Sequence, residues 1–318
     1  MTSGPYAKII ADSVSEDGYR VTTMEVRFHR FVLAEFNTHR VFSRNSASSR
    51  ARPFAKVVAQ IRDDPAVPLV WPHEQKGMQG GESLSEVEVE VVENAWLSAR
   101  DAAVRHAGAL AEVGLHKSLV NRLLEPWGWH TVVVTATEWD NFFEQRCSPL
   151  AQPEIRVAAE MMREVYQASI PDEIVTGEWH LPYIEPEDRD AVRSLLDSEA
   201  KFSTETDAAL AQISAARCAR VSYLTQDGKR DIQEDLNLYQ RLVSASPWHG
   251  SPLEHVATPW TANVERLDYT FRDVEGNWRR IIRIAPKYGN LLGWRQLRLE
   301  IEAAHQDIPH NSEIEGDI

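Results

Sequence analysis

Residues 38–52 read THRVFSRNSASSRAR, with Arg40, Arg44, Arg50 and Arg52 set among serines and no acidic side chain. Serine hydroxyls, turn amides and guanidinium forks are the donors a phosphate monoester requires, and arginine meets its oxygens in bidentate fashion. Asn45, Ser46, Ser48 and Ser49 are short side chains suited to tight turns, which keeps their polar atoms close to the backbone. The bland alternative is a solvated basic loop; this composition favours a phosphate cradle. It is not a Walker loop, because the glycine-rich pattern ending in Gly-Lys-Ser/Thr is absent. Nor does a Gly-x-Ser-x-Gly elbow mark Ser48 as a nucleophile.

The rest of the chain is acidic. Over 318 residues, 34 basic against 48 acidic side chains leave a net charge of −14. Such a surface repels nucleic acid and anionic membranes, so neither is an expected partner. An anionic small molecule must then be met by a local concentration of arginine, which 38–52 supplies. Hydrophobic residues at 43% and charged residues at 26% belong to a folded globular chain. No apolar run approaches the roughly 20 residues of a membrane-spanning helix. The N-terminus lacks a basic segment followed by an apolar core, so no secretory signal is expected and the expected location is cytoplasmic. Two cysteines, Cys147 and Cys218, exclude a disulfide scaffold.

Working outward from the loop, 19–28 reads as a strand and 30–40 as a helix. Helices are predicted at 53–63, 84–113 and 115–124, the last stopped by Pro126. TVVVTAT at 131–137 is a buried strand, followed by a helix at 138–146. Ile155, Ala159, Met162 and Val165 then form one stripe of a helix over 152–167. Further helices are expected at 205–219, 231–244 and 291–302, with a strand at 267–271. There is no regular alternation of strand and helix, so the expectation is an α+β fold in which a mixed or antiparallel sheet packs with helices. Residues 1–168 form a first region, 169–204 a connection, 205–305 a second region and 306–318 a disordered tail.

Three smaller clusters carry less weight. WHGSPLEH at 248–255 brings together His249, Glu254 and His255, but the spacing fits no standard zinc pattern and no metal is expected. Hydrogen bonds to a polar cofactor or a helix cap suit it better. Glu138 and Asp140 point in different directions on a helix and read as a solvated face. Cys147 follows Arg146, a neighbour able to lower a thiol pKa, although a lone cysteine is more often inert.

At THRVFSRNSASSR the chain resembles the arginine-histidine-arginine signature of flavin-dependent thymidylate synthases. His39 and Arg40 match its second and third residues, Ser48 falls at its serine, and Asn45 and Arg50 fit the pattern around that serine. Thr38 stands where the first arginine belongs, and Ser46 where the family usually has glutamate. NRLLEP at 121–126 is similar to a family segment that makes Arg122 a nucleotide-contacting arginine. NFFEQRCSPLAQPEIR at 141–156 resembles another, with Asn141 against flavin and Arg146 polarising the pyrimidine; Leu150 replaces a flavin-side histidine. Thr135 and Thr137 occupy positions that face flavin in the family. ARCARVSY at 216–223 and HGSPLEH at 249–255 resemble two motifs that normally precede the signature and here follow it. That order is the product of a circular permutation, which chain ends lying close together make tolerable.

The resemblance implies an α+β homotetramer binding flavin and nucleotide at subunit interfaces. It implies C5 methylation of dUMP, with methylenetetrahydrofolate as carbon donor, FAD as hydride carrier and NADPH as reductant. No enzyme nucleophile attacks the pyrimidine. Arg146 is then the catalytic residue, with Glu35, Ser46, Ser48, Arg50, Arg122 and Arg146 on the nucleotide. On the cofactor it implies Thr38, His39, Arg40, Asn45, Thr135, Thr137 and Asn141. From the permuted, flavin-side region 205–305 it adds Ser222, His249, Ser251 and Glu254. Ser46 motivates an alternative substrate such as dCMP, methylated or hydroxymethylated. Thr38 and Leu150 motivate another, a non-catalytic nucleotide- or flavin-binding protein.

Overall fold

A computed structural model describes residues 4–195, 203–225, 230–272 and 275–306. The chain opens with a hairpin of β1 (Tyr6–Ser15) and β2 (Arg20–His29), turned through Gly18 at a φ of 81° that suits glycine. A short helix α1 (Leu33–Asn37) leads to β3 (Ser43–Ser46), a strand inside the Arg/Ser stretch. α2 (Phe54–Asp63), α3 (Glu86–Glu112) and α4 (Lys117–Val120) precede β4 (Trp129–Ala136). α5 (Asp140–Arg146), α6 (Pro153–Ala168), β5 (Asp172–Ile174) and α7 (Pro186–Leu195) follow. The second half holds α8 (Ser203–Arg220), α9 (Ile232–Ser244) and β6 (Ala257–Pro259). It ends with a hairpin of β7 (Val264–Arg272) and β8 (Trp278–Pro286), then β9 (Trp294–Gln296) and α10 (Leu297–Gln306).

The main sheet runs β3-β4-β2-β1-β5, antiparallel except for the parallel pair β1 and β5. It is the mixed sheet of an α+β fold. Side chains alternate between the faces of a strand, and here the two faces differ in chemistry. Met24, Val26 and Phe28 of β2 join Val132, Val134 and Ala136 of β4 beneath α5 and α6. There they meet Trp139, Phe142, Ile155 and Met162, with Phe36 and Phe42 closing the cluster. Each of the Val, Ile, Met and Phe side chains contributes about 1.5–3 kcal/mol on full burial.

The other face is polar yet buried. Thr23, Glu25, Ser43, Asn45 and Thr135 point into it and are each less than a tenth exposed. Buried polar groups require partners, and the second half of the chain supplies them. Tyr183 donates to Glu25 at 2.6 Å, Asn45 donates to the Cys218 carbonyl at 2.7 Å, and Gln296 donates to Ser43 at 2.9 Å. A one-residue slip in register would turn this row into the aromatic core and the apolar row against α8, so the pairing is tightly specified. The covering layer has its own core around Leu210, Ile213, Tyr239, Leu253 and Val256.

Several local expectations change under tertiary constraint. The helix predicted over 30–40 shortens to a 3-10 turn, Arg30–Val32, and α1. The Thr38 hydroxyl donates to the Glu35 carbonyl at 2.7 Å, a side-chain bond that competes with helix continuation. The helix expected over 115–124 becomes α4 followed by a 3-10 segment, Asn121–Trp127, that carries Pro126 inside it. The helix predicted from 291 begins instead as β9, pairing with β6. By contrast α3 starts where a capping box between Ser85 and Glu88 places it. Within 169–204 lie β5 and α7, while 196–202 and the tail from 307 fall outside the described residues.

Candidate functional site

Arg146 ends α5 and reaches back over the turn after α1. Its Nε donates to His39 Nε2 at 2.9 Å, and its Nη2 donates to Thr38 Oγ1 at 2.9 Å and to the Glu35 carbonyl at 3.2 Å. A guanidinium only donates, so His39 accepts at Nε2 and carries its proton on Nδ1. Burial first, then the charges of Arg146 and Arg44, push the His39 pKa down to about 4. The ring packs edge-on against Phe142 at 4.9 Å and stacks on Phe42. His39 is therefore a neutral prop at pH 7, and its Nε2 is unavailable as a base for Ser48. Thr38, in place of the signature's first arginine, serves as an acceptor for Arg146. Among the described residues Nη1 of Arg146 has no partner, and Glu35 Oε2 is buried with none.

The second cluster joins segments distant in sequence. Asn45 donates to the Cys218 carbonyl at 2.7 Å and to Ser222 Oγ at 3.4 Å, and accepts from Ser251 Oγ at 3.5 Å. The Ser48 amide donates to the Ser222 carbonyl at 3.1 Å. ARCARVSY and HGSPLEH thus both close on the Arg/Ser stretch. Beside them runs a buried chain: Ser13 Oγ to His180 Nδ1 at 2.9 Å, His180 Nε2 to Thr23 Oγ1 at 2.8 Å, Thr23 to Thr135 at 2.6 Å, and Thr135 to His255 Nδ1 at 2.8 Å. Burial pushes the pKa of both His180 and His255 down to about 3. No bond among the described residues carries Ser222, Ser251 or His255 to His39 or Arg40.

At the turn that follows β3, Ser49 Oγ, Arg122 Nη1 and Arg30 Nη2 all donate to Glu125 Oε1, at 2.7, 2.8 and 3.0 Å. Arg50 is exposed, Ser46 and Ser48 are half-buried, and the Ser46 backbone pairs with Val132. Arg40, Asn141, His249 and Ser251 stand exposed. Thr135 is fully enclosed, Thr137 Oγ1 accepts from the Leu292 amide at 2.9 Å, and Glu254 pairs with Arg298. Cys147 is not activated by its neighbour: burial raises its thiol pKa, and the nearby charges are Arg163 and Glu160. Sequence reading passed over Arg30, Glu125, His130 and His180. For Glu125 a signal existed, an acidic residue three places after Arg122 within the NRLLEP segment itself.

Residues 19–172 match the family described as thymidylate synthase complementing protein. Over this segment, just under half of the chain, the protein is similar to that family. The matched segment holds β2, β3 and β4, the Arg/Ser stretch and Arg146, whereas β1 precedes it and Ser222, His249, Ser251 and Glu254 lie beyond it. Among solved structures, the chain is similar to a UMP/dUMP methylase, PolB, from Streptomyces cacaoi bound with 5-Br UMP. The identity is 16% and the TM-score 0.44, over 52% of this chain and 90% of that one. The same protein bound with 5-Br dUMP gives 16% identity and a TM-score of 0.42, over 52% and 91%. No curated protein matches the sequence.

Proposed function

We propose that this protein methylates C5 of dUMP to give dTMP, with methylenetetrahydrofolate as carbon donor, FAD as hydride carrier and NADPH as reductant. The observation that carries the proposal is the closure of 216–223 and 249–255 on the Arg/Ser stretch through Asn45 and Ser48. Two motifs displaced in sequence meet the signature in space, as a permuted member of the family requires. Residues 1–168 then form the nucleotide-binding region and 205–305 the flavin side. The assembly proposed is a homotetramer, in the cytoplasm; no described helix is long and apolar enough to cross a membrane.

The donor set suits a flavin. Arg40, Asn141, His249 and Ser251 present exposed polar side chains, Ser251 bonded to Asn45, and would hold its phosphates and ring carbonyls. Thr38, His39, Asn45, Thr135, Thr137, Ser222 and Glu254 would act as the walls behind them. Bound there, FAD supplies hydride; the protein supplies orientation. Arg146, with Nε and Nη2 tied to His39, Thr38 and the Glu35 carbonyl, directs Nη1 at charge developing on the pyrimidine. A donor fixed before the reaction stabilises that charge without reorganisation. Ser46, Ser48, Arg50 and Arg122 bind the nucleotide, with Glu35 as an acceptor toward the base. Arg146 donates only, which suits the uracil carbonyls better than the amino group of cytosine.

The test is incubation with FAD, NADPH, methylenetetrahydrofolate and equimolar dUMP and dCMP, with products identified by mass. dTMP is the expected main product. Methylated or hydroxymethylated dCMP would replace the substrate while keeping the chemistry. Absence of both products from protein that binds nucleotide would leave a binding protein.

A further inference from the structure

The turn at 48–52 and the segment 121–130 enclose a cleft lined by Arg30, Ser49, Arg52, Glu125 and His130. Three donors, two guanidiniums and a hydroxyl, converge there on one carboxylate oxygen, Glu125 Oε1. An ionised carboxylate offers about four lone-pair positions over its two oxygens, so three donors overfill one of them. A phosphate oxygen takes the same set of donors.

The cleft also holds donors that Glu125 does not satisfy. Arg52 has no carboxylate partner among the described residues, and burial, then the charge of Arg27, lowers its pKa. His130 is 2% exposed. Its Nδ1 accepts from Arg30 Nη1 at 2.6 Å, so the ring proton lies on Nε2, which is buried without a partner. Arg30, Arg52 and Arg122 against Glu125 leave two positive charges in excess, within a chain of net charge −14.

We propose that Glu125 is a resident anion. In the free protein its carboxylate holds Ser49, Arg30 and Arg122 in the arrangement that receives a dianionic phosphate monoester, and the incoming phosphate displaces it. Arg52 and His130 Nε2 complete the site. A nucleoside without phosphate has nothing with which to displace Glu125, so this residue makes the site selective for the phosphorylated form. The identity of the monoester as a nucleotide rests on the function proposed above; the anion site itself does not.

Isothermal titration of the purified protein with dUMP, deoxyuridine and inorganic phosphate separates the two claims. Glu125→Gln, nearly isosteric and uncharged, should tighten dUMP and inorganic phosphate about tenfold and leave deoxyuridine unchanged. Arg52→Gln should weaken both phosphate ligands about tenfold, again without moving deoxyuridine. If Glu125→Gln fails to fold by circular dichroism, Glu125→Asp decides in the same sense with a smaller gain, because it keeps the charge but loses the reach. Unchanged or weaker phosphate binding in the folded Glu125 variant overturns the resident-anion role, even when wild type binds dUMP well. If inorganic phosphate follows the expected pattern while dUMP never binds, the anion site stands and the nucleotide reading falls. No phosphate binding by any variant removes the site.

Discussion

Arg146→Gln separates a positioned electrostatic residue from a structural one. The substitution removes three donated bonds, to His39 Nε2, Thr38 Oγ1 and the Glu35 carbonyl. Arg146 is half-buried at the end of α5, so water replaces much of what is lost. Net hydrogen bonds are worth about 0.5–1.5 kcal/mol each, and a total stability loss of about 1–2 kcal/mol is expected. In a chain of this size that lowers the melting temperature by about 2–8 °C. The barrier behaves differently, since one preorganised donor to a developing charge is worth about 2.7–4 kcal/mol, or 10²–10³ in rate. Single-turnover dTMP formation at saturating dUMP measures the rate, and a thermal melt measures the fold. The His39 ring gives an independent readout by NMR titration. Loss of the Arg146 charge raises its pKa from about 4, but it stays below the ordinary 6.5 because burial is the larger cause. A folded variant that forms dTMP at nearly the wild-type rate would refute the role given to Arg146.

Acid should destabilise this protein well before most carboxylates protonate. His130, His180 and His255 have folded pKa values of about 3, below the ordinary 6.5, so the unfolded chain binds more protons between those limits. Their contribution is complete above pH 6.5 and is lost as pH falls toward 3, with a slope approaching about 1.4 kcal/mol per pH unit for each. Urea midpoints that stay flat from pH 7 to 5 would contradict the buried neutral assignment. Asn45→Ala should cost about 1–3 kcal/mol by stranding the Cys218 carbonyl at the junction of the two halves. It should also slow turnover through Ser222 and Ser251, and unaltered stability and rate would separate that junction from the site. Arg217→Ala should be worse for folding, at about 3–5 kcal/mol, because the buried Asp188 and Asp235 lose the fully buried guanidinium that bridges them and keep only Arg230 and Arg220. A melt within a degree or two of wild type would count against the pairing.

Much of the fold can be read locally. β2 and β4 carry their β-branched residues in runs, and α6 carries Ile155, Ala159 and Met162 at helical spacing, so side-chain period alone identifies them. The Arg/Ser stretch likewise stands out as a candidate anion site in an acidic chain, because composition there departs from its surroundings. The strand within it does not declare itself. Ser43–Ser46 are turn-forming residues, and they form β3 only because Val132 to Thr135 lies alongside to accept the pairing. β1 escaped notice for the related reason that its partner, β2, determines which of its residues face inward. The site divides in the same way. Ser48, Arg122 and Arg146 are visible as residue types at signature positions. The neutral state of His39, the junction of Asn45 with Ser222 and Ser251, and the convergence of three donors on Glu125 depend on distance and burial between segments far apart in the chain. Local sequence encodes propensity and periodicity; desolvation and hydrogen-bond partnership exist only once the two halves close over the polar face of the sheet.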